Sequence, residues 1–182
     1  GAQIAFMNPF GIRAPWRLAP GENGQLTFGD LYKVQPFNNV LLTQTLTGAQ
    51  LRRVLEQNFD GYGPNQVLSP SRGFVYSYDL SRPVGSRIVS ITLDGQPLDD
   101  AASYRVTTSD FLSAGGDTYS AFAKGKDRVI GISDLAALEA WLQHNGVSKQ
   151  SHWPLGAKFA RVNNPQARSG LMMPYIDGSI QS

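Results

Sequence analysis

The sequence predicts an α+β fold, a single domain in which a mixed β-sheet is packed by a few helices. Strand-like and helix-like segments are interspersed without the regular strand–helix–strand alternation that characterises a parallel α/β sheet. Glycine (19) and proline (11) are frequent, whereas charged residues make up only 16% of the 182 residues. This balance indicates many turns between strands rather than a helical bundle.

The first third of the chain contains two predicted strands and two predicted helices. Residues 3–8 are apolar enough for a buried strand, and residues 40–46 alternate between apolar and polar side chains as a half-buried strand does. Thr27 is placed to cap a short helix over residues 28–34, and Thr47 is placed to cap a longer one. The predicted apolar face of the longer helix comprises Leu51, Val54, Leu55 and Asn58.

The rest of the chain contains further strands and one more helix. Residues 73–80 and 86–95 are rich in β-branched and aromatic side chains, so we expect two strands joined by a turn. Residues 103–111 form another predicted strand. Ser133 is placed to cap a helix whose apolar stripe comprises Leu135, Leu138, Trp141 and Leu142.

The predicted domain covers residues 1–162 and closes on a candidate strand at 157–162. Residues 163–182 are a predicted tail, polar and containing proline. Strand character begins at the third residue without a leader or a cap. We therefore expect this chain to be the C-terminal part of a longer polypeptide.

Composition narrows the chemistry that this chain supports. The net charge of +2 is too small, and the basic residues too scattered, to indicate a nucleic-acid surface. There is no cysteine, and no apolar run reaches the roughly 20 residues of a membrane span. With only His144 and His152 as histidines, both expected at the surface, neither a dimetal centre nor a serine triad is predicted.

A recognition site remains, and the stretch "TTSDFLSAGGDTYSAF" (107–122) is its best candidate. An aromatic residue, a glycine pair and an acid follow one another at the end of a predicted strand, as in a simple turn or in a ligand site. Flat rings suit the stacking of a base, a carboxylate suits sugar hydroxyls, and a guanidinium suits phosphate oxygens.

Four segments, in fixed order, resemble the C-terminal domain of the bacterial and animal 5'-nucleotidases. "IAFMNPFGIR" (4–13) resembles the N-G-G-G-I-R motif, and residues 24–59 contain a P-F-x-N signature and an L-T-G-x-x-L helix. "GFVYSYD" (73–79) is similar to the next strand, and "YRVTTSDFLSAGGDTY" (104–119) resembles the block around F-L-A-x-G-G-D-G-Y. The likeness extends from about residue 3 to residue 143.

The resemblance implies that this chain is part of a nucleotide hydrolase that is periplasmic, secreted or located at the cell surface. In that family an N-terminal metallophosphoesterase domain holds two divalent metal ions and the catalytic residues. The C-terminal domain binds the nucleotide and carries it to the metals. This chain is therefore expected to bind a nucleotide or nucleoside, to hold no catalytic residue or cofactor, and to be inactive alone.

The resemblance also implies the residues of the site. Phe37 and Phe111 would stack on the two faces of the base, and Asn39 would bond the base edge. Arg13 would meet the ribose–phosphate side with Asn8 beside it. The remaining implied residues are Asp117, which would accept from ribose hydroxyls, and Gly115 and Gly116, which would form the tight turn that presents it.

Some residues depart from the family pattern and leave alternatives open. Pro9 and Phe10 replace glycines of the first motif, Asn38 stands where glycine is usual, and Thr118 replaces the last glycine of G-G-D-G. The alternatives are a 2',3'-cyclic-nucleotide phosphodiesterase/3'-nucleotidase, a thiohydrolase-like relative, which the phenylalanine pair disfavours, and a binding module whose site has decayed. Each phenylalanine could also belong to the core, and Asp117 could simply cap a turn.

Overall fold

The chain forms two β-sheets and four helices in a computed structural model that describes residues 1–15, 26–61 and 66–145. This arrangement confirms the predicted α+β class with a mixed sheet. The helices are α1 (Phe28–Val34), α2 (Gly48–Glu56), α3 (Asp110–Ser113) and α4 (Asp134–Asn145). The strands are β1 (Ile4–Met7), β2 (Val40–Thr47), β3 (Ser69–Pro70), β4 (Phe74–Tyr78), β5 (Ile88–Leu93), β6 (Gln96–Pro97), β7 (Ser103–Ser109) and β8 (Lys126–Ser133).

The larger sheet has the strand order β3-β1-β7-β2-β8 and is mixed. Strand β1 runs parallel to β7, with Ile4 opposite Val106, whereas β2 runs antiparallel to β7, with Leu41 opposite Ser109. The smaller sheet, β4-β5-β6, is antiparallel. Its two main strands are those predicted at 73–80 and 86–95.

The first two predicted helices are confirmed, together with the residues that cap them. The Thr27 hydroxyl accepts from the Asp30 N–H, and the Asp30 carboxylate accepts in return from Thr27. Hydrogen bonds from Thr27 and Lys33 lower the pKa of Asp30 to about 2. Thr47 and Gln50 form the same reciprocal cap at the start of α2.

The hydrophobic core lies between α2 and the two sheets, as the apolar face of that helix predicts. Leu51, Val54 and Leu55 are fully buried, and the Phe6 and Phe74 rings meet edge-to-face with centroids 5.2 Å apart. Tyr76 and Tyr78 pack against this core, as expected. The core thus joins the larger sheet to the smaller one through α2.

The structure differs from the predicted elements around β7. The strand ends at Ser109, two residues earlier than predicted, because the Ser109 hydroxyl caps α3 by accepting from the Leu112 N–H. Phe111 consequently lies in the first turn of α3 rather than on a strand. The edge strand β8 was not predicted, since nearly all of its residues are exposed and it lacks a buried, alternating face.

The last predicted helix, α4, is confirmed. The Ser133 hydroxyl accepts from the Ala136 N–H, and Leu135 and Leu142 are buried with Leu31 of α1. The candidate strand at 157–162, the tail at 163–182 and His152 lie outside the described residues. None of the helices within the described ranges combines the length and the apolar character that a membrane span requires.

Candidate functional site

Sheet topology brings three separate parts of the chain to one edge of the larger sheet, the edge at which β1 and β7 end and β2 begins. Because β1 and β7 run parallel, their last residues, Met7 and Ser109, lie at the same edge. Strand β2 is antiparallel to β7, so its first residue, Val40, lies at that edge too. The predicted site residues precede or follow these three points, and they therefore gather from distant parts of the sequence.

Asn8 and Asp117 are in direct contact at this edge. The Asn8 amide nitrogen donates to the Asp117 carboxylate at 2.7 Å, although 109 positions separate the two residues. Asn8 is buried, and Gly11 leaves room for it, since a Cβ at Gly11 would lie 2.8 Å from the Asn8 amide oxygen. Asn8 therefore lies on the Asp117 side of the site, where it orients the carboxylate.

Arg13 and Phe37 form a second contacting pair. The guanidinium carbon lies over the Phe37 ring, 5.6 Å from its centroid, which is a cation–π distance. The Arg13 backbone N–H donates to the carbonyl of Val34 at 2.8 Å, which ties the first motif to the end of α1. Phe37 is 51% exposed, so the ring is a surface feature and does not belong to the core.

Phe111 packs against the second glycine of the pair, Gly116. Its ring lies so close to Gly116 that a Cβ there would come within 2.5 Å of Cζ and 2.7 Å of Cδ1. The ring is 45% exposed, so it also lies outside the core. Gly116 is thus required for ring packing, whereas Gly115, with φ of +96°, forms the left-handed turn before Asp117.

Two of the four residues that replace family glycines keep glycine-like backbone conformations. Asn38 and Thr118 have left-handed φ values of 52° and 71°, and Asp117 between the glycines and Thr118 has φ of 51°. Asparagine and aspartate tolerate this region better than most residues, whereas β-branched threonine does not. The loop around Thr118 is therefore strained, and the surrounding structure must hold it in place.

Asn39 contacts an acid that the sequence did not single out. The Asp134 backbone N–H donates to the Asn39 carbonyl at 2.8 Å, and the Asn39 amide nitrogen lies 3.5 Å from the Asp134 carboxylate. Burial raises the pKa of Asp134, and the negative charge of Asp110 raises it further. The amide nitrogen of Asn39 therefore points toward Asp134. Its position as an acid in the first turn of α4 was its only signal in the sequence.

The site contains no metal-binding cluster within the ranges that the structure describes. No group of three or more histidine, cysteine, aspartate or glutamate side chains there could hold a metal ion. His144 lies exposed on α4. The arrangement offers rings, a guanidinium, amides and a carboxylate, which are groups that bind and orient a ligand.

Substitution of Gly116 by alanine is expected to displace the Phe111 ring with little effect on the backbone turn. The new methyl group overlaps the ring, whereas Gly116 does not itself have a positive φ. NMR spectra of the ligand-free chain should show the largest changes in the Phe111 ring resonances. Gly95→Ala is the control. A methyl group at Gly95 meets no other atom, but Gly95 has a positive φ, so this variant should disturb its own hairpin turn and leave the Phe111 resonances unchanged.

Comparison with known proteins identifies the family. The sequence profile of the family described as "5'-nucleotidase, C-terminal domain" matches residues 1–124. The Bacillus subtilis "Trifunctional nucleotide phosphoesterase protein YfkN" is 34% identical over 130 residues, which is 68% of this chain and 8% of that protein. The "Cell wall protein Lmo0130" of Listeria monocytogenes is 37% identical over 134 residues, 68% of this chain and 16% of that protein.

A solved structure agrees with the sequence comparisons. The crystal structure of a 5'-nucleotidase precursor from Thermus thermophilus superposes with a TM-score of 0.66 at 34% identity, covering 79% of this chain and 29% of that one. The chain therefore spans less than a third of the length of each of these relatives. It belongs to the family of 5'-nucleotidase C-terminal domains, part of a family of hydrolases.

Proposed function

We propose that this chain is the substrate-binding domain of a metal-dependent 5'-nucleotidase, which hydrolyses nucleoside monophosphates or related nucleotides to nucleoside and phosphate. The observation that carries the proposal is that the strand ends bring two half-exposed rings and a hydrogen-bonded carboxylate to the same edge of the larger sheet. Phe37 precedes β2, whereas Phe111 and Asp117 follow β7, and each of the three is held by a contact of its own.

Each part of the site matches a part of a nucleotide. Stacking of a base on an aromatic side chain contributes about 1–3 kcal/mol per base. Phe37 and Phe111 are about half exposed, so each has free ring surface on which a base can stack. The Asp117 carboxylate is a strong acceptor for ribose hydroxyls, and Asn39 can bond the base edge. Arg13 suits the phosphate side, because its guanidinium stays charged and forms paired hydrogen bonds.

The chemistry is assigned to an N-terminal metallophosphoesterase domain of the same polypeptide. Two divalent metal ions in such a domain would activate water and stabilise the transferring phosphoryl group. The role of this chain is to bind and orient the nucleotide. We place the protein in the periplasm or outside the cell, including the cell surface, in line with the cell-wall protein among its relatives.

A second candidate is a 2',3'-cyclic-nucleotide phosphodiesterase/3'-nucleotidase. It is favoured by the similarity to a relative whose name describes a trifunctional nucleotide phosphoesterase. Both candidates use the same nucleoside contacts and differ in where the phosphate lies. A decayed, non-catalytic module is the third alternative, with Phe10 and Thr118 as its support.

Titration of the 182-residue chain with adenosine, AMP and 3'-AMP, followed by NMR, tests the proposal. The amide resonances of Phe37, Phe111 and Asp117 are expected to shift, with AMP binding more tightly than 3'-AMP. Tighter binding of 3'-AMP would favour the second candidate, and no shift with any of the three ligands would favour the decayed site. Hydrolysis of AMP by this chain with added divalent metal would contradict the assignment of chemistry to another domain.

A further inference from the structure

The loop that carries Asp117 has an unfavourable backbone conformation. Gly115, Asp117 and Thr118 all have left-handed φ values, of 96°, 51° and 71°. Outside glycine, such conformations persist only where neighbouring groups hold them. The direction of the Asp117 carboxylate therefore depends on the groups that hold the next residues of the loop, as well as on its hydrogen bond from Asn8.

Gln57 holds this loop from the end of α2. Its amide nitrogen donates to the Thr118 carbonyl at 3.0 Å and to the Ser120 hydroxyl at 2.9 Å. Its amide oxygen accepts from the Ala121 N–H at 2.9 Å. A single buried side chain thus bonds the loop on both sides of Tyr119.

Gln57 reaches the loop from a well-packed part of the backbone. Gln57 begins a short 3-10 turn directly after α2, whose apolar face is fully buried. The next residue, Asn58, accepts from the Tyr119 hydroxyl at 2.9 Å. Residues at the end of α2 therefore hold the backbone of the loop, whereas the Asn8 side chain bonds the Asp117 carboxylate.

We infer that Gln57 is a positioning residue for the ligand, which sets the direction of Asp117 toward the ribose hydroxyls. This inference rests on the proposed function. Without the two amide N–H donors, the Thr118 peptide can leave its strained conformation, and Asp117, one residue earlier, turns with it. The effect is expected on ligands with ribose hydroxyls, because the hydrogen bonds of Gln57 go to Thr118, Ser120 and Ala121 and not to either ring.

The test compares adenosine with 2',3'-dideoxyadenosine by calorimetry on the 182-residue chain. A hydrogen bond to a charged group is strong enough that the wild type should bind adenosine about tenfold more tightly, or more. In Gln57→Met this preference should fall close to one, with the affinity for dideoxyadenosine unchanged. Gln57→Glu removes both donors but keeps an acceptor for Ala121, so it serves if Gln57→Met does not fold.

Two reference variants complete the design. Gln50→Glu makes the same chemical change in the first turn of α2 while keeping the capping acceptor for Thr47, so its preference should equal that of the wild type. Asp117→Ala should lose the preference directly.

The outcomes separate the inference from the proposed function. A wild-type chain that does not bind adenosine would overturn both. Binding without a preference for hydroxyls, or a preference that survives in the Gln57 variants, would overturn the inference alone. Equal weakening of both ligands would mean a purely structural role for Gln57, which also contradicts the inference.

Discussion

Replacement of Phe37 and Phe111 together with alanine is expected to weaken adenosine binding by about thirtyfold or more, because each ring contributes about 1–3 kcal/mol of stacking. Both rings are about half exposed, so their removal opens no cavity in the core. The melting temperature should consequently change little. Isothermal titration of the double variant and of each single variant measures the effect.

A matched control is Phe28→Ala. Phe28 is also an exposed phenylalanine, on α1, but the proposed site does not include it. Its affinity for adenosine should equal that of the wild type. Binding by the double variant that is as tight as that of the wild type would refute the proposed stacking site, whatever the fold of the chain.

The second large effect is expected on stability, from Glu56→Ala. Glu56 is buried, and its carboxylate accepts from the backbone N–H groups of Arg87 and Ile88 at 2.9 and 2.7 Å. Each buried donor left without an acceptor costs about 1–3 kcal/mol, so the free energy of unfolding should fall by about 3 kcal/mol. Urea denaturation followed by circular dichroism measures this loss.

Two further variants show whether the loss comes from those hydrogen bonds. Glu56→Gln keeps one oxygen acceptor and should lose less stability than Glu56→Ala. Glu139→Ala removes an acid from α4 whose carboxylate accepts from the exposed amide of Gln143, and it should be nearly neutral. Equal losses for Glu56→Ala and Glu139→Ala would contradict the role of Glu56 in joining α2 to β5.

The proposed site is partly organised by contacts among its own side chains. Asn8 already fixes the Asp117 carboxylate, and Arg13 already lies on the Phe37 ring. A site that is ordered in advance loses less conformational entropy on binding. This is consistent with a domain whose task is to bind and orient a nucleotide.

Much of the fold follows from short stretches of sequence. Thr27, Thr47 and Ser133 each begin a helix, because a hydroxyl that accepts a backbone N–H is a signal contained within one turn. Strands with a buried, alternating face were predicted for the same local reason. The edge strand β8 lacks such a face, so its pairing with β2 is visible only in the sheet.

By itself, the sequence determined the fold class, the capped helices, most strands and, through four ordered motifs, the family. Only the tertiary structure decided that Asn8 meets Asp117, that Gly116 makes room for a ring, and that Gln57 holds the loop. Caps and alternation depend on neighbouring residues, whereas contacts between distant residues depend on strand register and on how α2 packs. For that reason, the contacts that orient the proposed site residues, and the part of Gln57 in holding the loop, were not visible in the sequence.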